Sequence, residues 1–598
     1  MKHRVLGAIC ALAILCLASA RLQALPSSPH SSATPHATSA TGAPWWKNAV
    51  IYEVYPRSFQ DSNGDGVGDL NGITQRLGYL QSLGVNAIWL TPIYDSPQVD
   101  FGYDISNYYH IDPRYGTMAD FDRLVREAKK HHIGVIMDLV LNHTSDKHPW
   151  FLESESSRTN PKRDWYIWRN GRKGPNGKLL PPNNWQSDFG GSAWQYDPKT
   201  KQFYYHKFYI QQPDLNWNNP QVRKAMYDVA RFWIRHGVAG FRLDAITTLF
   251  EDPKLRNEKP ILGPNGKPQI DAFGEVELDD SLTNNLPQVH DVLRQLRQVA
   301  DSYHRNVLLI GETYLSSIKD LRAMYGANND ELQLPMDMQV GFINKLDVKE
   351  FRARINEAET KLDGDEPLFV FDNHDNVRWE RYATAAGVTD PVQRENIARL
   401  LAAILFASRD SALMYYGDEI GMVTTPPKTR AEVRDPVGLR GWPKNKGRDG
   451  ERTPMQWNSG PNAGFSPAGV KTWLPIPPSY KTVNVAVESR QPDSLLAWYK
   501  QLIALKHANP ALRDGQEIML NTSNDSVLSW LRKTSQGQAV VVACNFTAQP
   551  QTIRFDLKPQ GVSGAGLRTL MATPHDAEVQ SLDAVHLGPF GVYIGQVE

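Results

Sequence analysis

GFRLDA, at residues 240–245, closes a short apolar run on an acid, directly after the helical stretch QVRKAMYDVARFWIR at 221–235. Arg242 and Asp244 are two apart, so in an extended segment both point to one face. The same unit recurs outward in both directions. IMDLVLNH (136–143), VLLIGET (307–313) and FVFDNHD (369–375) are also apolar runs that end on polar residues. Short β-branched runs at 50–54, 87–90, 135–140, 240–243, 307–310, 334–338, 368–371 and 413–416 read as strands. Helical periodicity separates them, including 118–131, 221–235, 286–302 and 392–408. Eight strands alternating with helices predict an α/β fold, a (β/α)8 TIM barrel. A doubly wound open sheet is the structural alternative, and it does not need eight units.

Two stretches break this rhythm. Residues 143–220, after the third strand, are full of Trp, Tyr, Pro, Asn and Gly. An excursion of this size at the C-terminal end of a barrel strand predicts a lobe beside the active-site face. We place this inserted B domain at 143–212, between barrel segments 45–142 and 213–514. From 515 to 598 the helices give way to short strands split by turn residues, which predicts a C-terminal antiparallel β-sandwich domain. At the other end, Lys2 and Arg4 precede an apolar run at 5–18 and small residues at Ala18, Ser19, Ala20 and Ala24. Residues 1–24 thus read as a secretory signal peptide, too short for a comfortable membrane span. Residues 25–44, rich in Ser, Thr, Ala, Pro and His, read as a disordered linker. The expectation is an exported protein, periplasmic or extracellular, without stable membrane insertion. Of the 3 cysteines, Cys10 and Cys16 lie in the leader, which leaves Cys544 with no partner for an internal disulfide.

Composition narrows the function. Hydrophobic residues make up 41% and charged residues 22%, an ordinary globular balance. Lys+Arg and Asp+Glu are both 65, so no basic field suggests nucleic acid. The 16 Trp and 23 Tyr suit either a Trp-rich core or a surface that stacks flat ligand faces. The residues that core packing does not explain are the acids at the strand ends: Asp138, Asp244, Glu312 and Asp375, with His143 and His374 beside them. A lone buried carboxylate is costly, and in a barrel these positions converge on one rim, where catalysis is built. Paired carboxylates in a concave site are what glycoside hydrolysis requires. The histidines show neither HxH nor HExxH spacing, which argues against a catalytic metal.

The chain resembles the α-amylase superfamily of glycoside hydrolases (family 13), in particular its exported bacterial α-glucosidases and oligo-1,6-glucosidases. The likeness rests on DLVLNH (138–143), GFRLDA (240–245), GETY (311–314), NHD (373–375), QPDLN (212–216), FGYDIS (101–106) and GRDGERTPMQW (447–457), in the family's order. It implies a retaining mechanism. Asp244 is then the nucleophile, Glu312 the acid and later the base, and Asp375 the stabiliser of the transition state. Arg242 would keep Asp244 ionised, His143 and His374 would hydrogen-bond the sugar, and Tyr103 would stack under its ring. Asp100 and Arg452 would grip the non-reducing glucose and close the pocket, which favours exo attack on short chains. In this family Ala after the nucleophile, here Ala245, goes with α-1,4 linkages and Val with α-1,6.

These expectations amount to an α-glucosidase acting on maltose and maltooligosaccharides, with a small oligosaccharide or disaccharide as its partner and a monomeric or homodimeric state. The alternatives are an oligo-1,6-glucosidase, a transglucosylase or isomerase forming trehalose or sucrose isomers, and a non-catalytic transporter partner. The last would have lost catalytic acids that this chain retains. Asp337, in LPMDMQ, is left outside the site. A second site lies in DSNGDGVGD (61–69), where Asp61, Asn63, Asp65, the Val67 carbonyl and Asp69 fall at positions 1, 3, 5, 7 and 9 of an EF-hand-like loop. Position 12 is Gly72, so the bidentate acid is missing. The resemblance implies a structural Ca2+, with Mg2+ as the alternative, and no organic cofactor.

Overall fold

The computed structural model describes residues 44–598, apart from 410, 565 and 574–579. The leader at 1–24 and nearly all of the linker at 25–44 lie outside the described residues. The eight predicted runs form strands β1 (Val50–Val54), β2 (Ala87–Leu90), β3 (Gly134–Val140), β4 (Gly240–Asp244), β5 (Leu308–Gly311), β6 (Leu334–Asp337), β7 (Leu368–Phe369) and β8 (Ala412–Tyr415). They close into a parallel barrel of order β1-β8-β7-β6-β5-β4-β3-β2. All their residues are buried, as expected of strands covered by helices on one face and packed into a barrel on the other.

The barrel interior has an apolar floor and a polar top. Ile51, Trp89, Ile136, Ile310, Met336 and Val370 pack with Leu413 in one inner cluster, and Trp45 and Trp46 lie against it. Two residues further along three of these strands come Glu53, Asp138 and Glu312. The period of two carries the inward face from hydrocarbon to carboxylate within one pleat.

Antiparallel strands at Trp194–Asp197, Gln202–Tyr205 and Trp168–Arg169 form a small sheet in the excursion after β3. Ile167, Trp185, Trp194, Phe203 and Tyr205 form its core. A second excursion, which the sequence reading passed over, follows β4. Bridges Pro260↔Leu278, Leu262↔Pro268 and Ile270↔Val276 fold it back on itself. At the C-terminus a five-stranded antiparallel sheet runs in the order 516–520, 527–533, 539–545, 592–597 and 567–572. Alternation gives it two buried faces. Trp530, Val540 and Val542 join the main core, where Trp530 Nε1 donates to Ala407 O at 3.1 Å. Leu531, Val541 and Ala543 pack with Ile553, Val585 and Leu587 of a two-stranded ribbon, which supplies the second layer. Cys544 is buried and free.

Candidate active site

β3, β4 and β5 are neighbours, and their register builds one wall of the site. Asp138 pairs with Arg242 across the β3–β4 ladder. Arg242 is fully buried and its guanidinium holds three carboxylates. Nη1 donates to Asp138 Oδ1 at 2.9 Å and Oδ2 at 3.1 Å, and to Asp244 Oδ1 at 2.6 Å. Nη2 forms an ion pair with Glu312 Oε1. The other Glu312 oxygen accepts from Ala245 N at 2.8 Å. Ala245 has φ 44° and ψ 38°, a left-handed conformation that costs energy for a residue with a Cβ. That turn at the end of β4 directs the N–H at Glu312.

One cation cannot neutralise three buried acids. Burial pushes Asp244 and Glu312 each up to about 7 and Asp138 up to about 6, against the pull of Arg242. Arg242 pulls Asp244 toward its ionised form, in the direction expected, and burial works against that pull. Arg242 restrains the rise, but the loss of hydration outweighs it.

The opposite wall comes from the turn after β7. Asp375 Oδ1 accepts from Arg452 Nη2 at 2.6 Å and Arg448 Nη1 at 2.9 Å. Burial alone would raise this acid; His374 and the two guanidiniums override it and hold the carboxyl well below the usual carboxylate range. Arg448 also donates from Nη2 to Asp100 Oδ1 at 2.8 Å and from Nε to Asp435 Oδ2 at 2.9 Å. Gln212 Nε2 donates to Asp100 Oδ2 at 3.1 Å. Arg452, expected to grip substrate together with Asp100, instead donates from Nε to the His374 carbonyl at 2.7 Å and buttresses Asp375. It is 1% exposed, and it is Arg448 that meets Asp100.

These walls enclose a cavity of about 900 Å3 lined by Asp100, Tyr103, His143, Asp244, Glu312 and Asp375, among others. Arg242, His374 and Arg452 stand one layer behind, each bonded to a residue of the lining. Tyr103 lies flat on His374, with ring centroids 5.5 Å apart and planes 6° apart. His143 Nε2 is 3.2 Å from the Tyr103 carbonyl, and burial pushes this imidazole down to about 3, so it is neutral. The second excursion contributes Asp279, Asp280, Asn284 and Asn285 to the lining, and Tyr314 and Phe208 add aromatic edges. Asp337 accepts from Gln339 N at 3.0 Å and caps a short helix, away from the lining.

Arg448 and Glu53 were missed by the sequence reading. Arg448 stands in the quoted GRDG motif and was passed over in favour of the second arginine. Glu53 interrupts the apolar run VIYEV of β1, the same signal of a lone buried acid that singled out Asp138.

In the loop at 61–69, Gly64 and Gly66 take φ 81° and 90°. A Cβ on Gly66 would sit 2.1 Å from the Lys471 carbonyl, so the turn requires glycine. Asp61 accepts from Asn63 N, Gly64 N and Gly66 N and from Ser466 Oγ. Asp69 accepts from Ser62 N and Oγ and from Gly72 N. Among the described residues no three acids or histidines converge as a metal-ligating group. The donor set is nevertheless all oxygen; the four bonds to Asp61 fill the roughly four lone-pair sites of its carboxylate, whereas Asp69, with three, keeps one free. Its chemistry fits a hard cation.

A model of the α-amylase catalytic domain matches residues 53–515. The chain belongs to the α-amylase family of glycoside hydrolases. Among its relatives in that family, a probable α-glucosidase of Rhizobium meliloti (strain 1021) is 42% identical over 82% of this chain and 87% of its own length. An oligo-1,6-glucosidase of Parageobacillus thermoglucosidasius is 35% identical over 91% of this chain and 98% of its own. The solved isomaltulose synthase from Protaminobacter rubrum superposes with a TM-score of 0.82, at 34% identity, covering 93% of this chain and 99% of that one. This α-amylase-family barrel thus carries its strand-end acids on a frame shared with relatives named as glucosidases and with a solved isomaltulose synthase.

Proposed function

We propose that this enzyme is a retaining, exo-acting α-glucosidase that releases glucose from the non-reducing ends of short α-1,4-linked glucosides. The observation that carries the reading is Arg242, which holds Asp244 and Glu312 on the two ends of one guanidinium. That attachment supports the shorter of the two carboxyl separations that glycosidases use, about 5 Å rather than about 9 Å. Asp244 attacks the anomeric carbon while Glu312 gives its proton to the departing oxygen. The covalent glucosyl-enzyme is then hydrolysed by a water that Glu312 deprotonates. A carboxyl pushed up to about 7 suits an acid that must hold its proton near neutrality, and Asp375, held ionised by Arg448 and Arg452, suits charge stabilisation on the ring side. The Asp100–Arg448 pair supports a pocket closed at one end, hence exo attack. Ala245 supports the α-1,4 preference through the space a methyl-sized side chain leaves, a difference worth about 1–3 kcal/mol.

Glucose release from maltose and isomaltose, measured side by side for wild type and Asp244→Ala, tests this. Dominant turnover of maltose, abolished in the variant, supports the reading. Dominant turnover of isomaltose moves the enzyme to the oligo-1,6-glucosidases. The likeness to an isomaltulose synthase favours one further reading, glucosyl transfer to a sugar acceptor. A rearranged disaccharide from sucrose, with little free glucose, would identify it.

We further propose that Asp61, Asn63, Asp65, the Val67 carbonyl and Asp69 hold a Ca2+ or Mg2+ ion whose charge ties the loop together. Thermal unfolding after chelation, and after return of each cation, should show a fall and a recovery in Tm. An unchanged Tm with no bound metal would remove the proposal.

A further inference from the structure

Glu53 sits on β1, fully buried, with Oε1 2.6 Å from His374 Nδ1. Its Oε2 has no hydrogen-bond partner among the described residues. His374 is sandwiched between Tyr103 and Tyr55, the latter with ring centroids 5.8 Å away and planes at 23°. The stack fixes the plane of the imidazole and leaves only its protonation to be decided.

The neighbours of Nε2 decide it. Tyr103 Oη lies 3.1 Å from Asp138 Oδ2 and 2.7 Å from His374 Nε2. Asp138 takes Arg242 on both oxygens, so it is an acceptor, and the Tyr103 hydroxyl hydrogen goes to it. The phenol oxygen must then accept from His374. Asp375 Oδ2, also an acceptor, is 3.2 Å from the same Nε2. Both contacts require the proton on Nε2. At Nδ1, a separation of 2.6 Å from Glu53 requires one proton between the two atoms. That proton belongs either to a Glu53 carboxyl donating to a neutral ring or to an imidazolium donating to carboxylate. Nε2 keeps its hydrogen in both descriptions. Arg242, Arg448 and Arg452 face the ring on the cationic side and Asp375 and Glu53 on the acidic side; burial lowers His374 and raises Glu53, which favours the carboxyl over the ring for that proton.

We propose that Glu53 is a positioning residue that fixes His374 as an Nε2–H donor and, through that donor, sets Tyr103 and Asp375 for the sugar. The role rests on the glycosidase reading of Asp375. Without Glu53, Nδ1 is a buried polar atom with no partner, and the Nε2–H tautomer is held from one side of the ring only.

The test compares Glu53→Met with Glu53→Gln on a chromogenic α-glucoside, with Tm measured for both. Glutamine can turn its amide N–H to Nδ1 and preserve the tautomer; methionine cannot. The expected result is a fall in kcat/KM of about 10–100-fold for Glu53→Met, recovered to within about threefold by Glu53→Gln. In 15N-histidine-labelled enzyme, the ring-nitrogen shifts of His374, assigned by loss in His374→Asn, should show Nε2 protonated in wild type and a mixture in Glu53→Met. Full activity in Glu53→Met, equal damage in both variants, or a wild-type proton on Nδ1 with Nε2 bare would overturn the proposal. A wild-type enzyme with no turnover on any α-glucoside would instead fault the glycosidase reading, and the nitrogen shifts would still report on Glu53.

Discussion

The two walls of the cavity pair the same kinds of residue in different ratios. On the β3–β5 wall one cation, Arg242, serves Asp138, Asp244 and Glu312. On the wall after β7 two cations, Arg448 and Arg452, converge on Asp375. Asp375 is the more exposed side chain, at 24% against 10% for Asp244 and 9% for Glu312, but burial acts to raise all three, so hydration alone does not separate them. The ratio of cation to carboxylate does. Where three acids share one cation, Asp244 and Glu312 rise to about 7; where two cations meet on one carboxyl, Asp375 falls, although Arg448 also serves Asp100 and Asp435. Asp100 is the instructive intermediate. It takes one bond from Arg448, and burial still raises it. One wall can store a proton near neutrality, and the other holds fixed negative charge.

The largest expected effect breaks the first wall. Asp244→Ala should lower kcat by about 10^4-fold or more, since it removes the nucleophile of a unit whose members act together. Glu312→Gln should cost about 10^2–10^4-fold on a sugar leaving group and much less on 4-nitrophenyl α-glucoside, whose departure needs no proton. Equal losses on both substrates would mean that the two acids have been assigned to the wrong roles. On the second wall, Asp375→Asn keeps the shape and removes the charge, and kcat/KM should fall about 10^2–10^3-fold, the cost of one electrostatic contact to the transition state.

Much of this contrast could be read from the chain alone. Strand ends that stop on an acid are visible in one dimension because burying a carboxylate is expensive, so Asp244, Glu312 and Asp375 stand out in GFRLDA, GET and NHD. The barrel follows from eight runs in alternation. The charge ratio could not be read, because it depends on which arginine of GRDGER reaches Asp375 or Asp100 across 73 residues or more of chain. Arg448 and Arg452 are four apart and equivalent in sequence; only the turn at 447–452 and the position of Asp435 send the first to Asp100 and the second behind Asp375. The excursion at 259–278 was missed because its strand signal is weak and its GPNGKP turn resembles an ordinary loop. The opposing effect of burial on Asp244 could not be read, because a neighbouring arginine is visible in sequence and a dry environment is not.

A smaller effect links the walls. The Asp375 charge helps to raise Glu312, so Asp375→Asn should lower the Glu312 pKa. Glu312 must be protonated to act, so the alkaline limb of kcat/KM, near 7 in wild type, should move to lower pH in the variant's residual activity. A limb that stays in place would mean that the walls are electrostatically independent.

The smallest effect concerns stability. Glu312 is raised in the folded state from an ordinary value of 4.5 to about 7. Its proton is bound more tightly in the folded than in the unfolded chain, so its contribution is full below about 4.5 and is lost as pH rises through about 7. Above that pH the ionised carboxylate is a net cost on a wall where Arg242 already faces two other acids. Glu312→Gln removes this cost and should stabilise the fold by about 1–3 kcal/mol at pH 8, with a smaller gain at pH 5. Thermal unfolding at the two pH values reads the difference directly. A variant no more stable at pH 8 than wild type would show that Arg242 matches this carboxylate as fully as Arg448 and Arg452 match Asp375, and the contrast between the walls would then be one of geometry and not of charge.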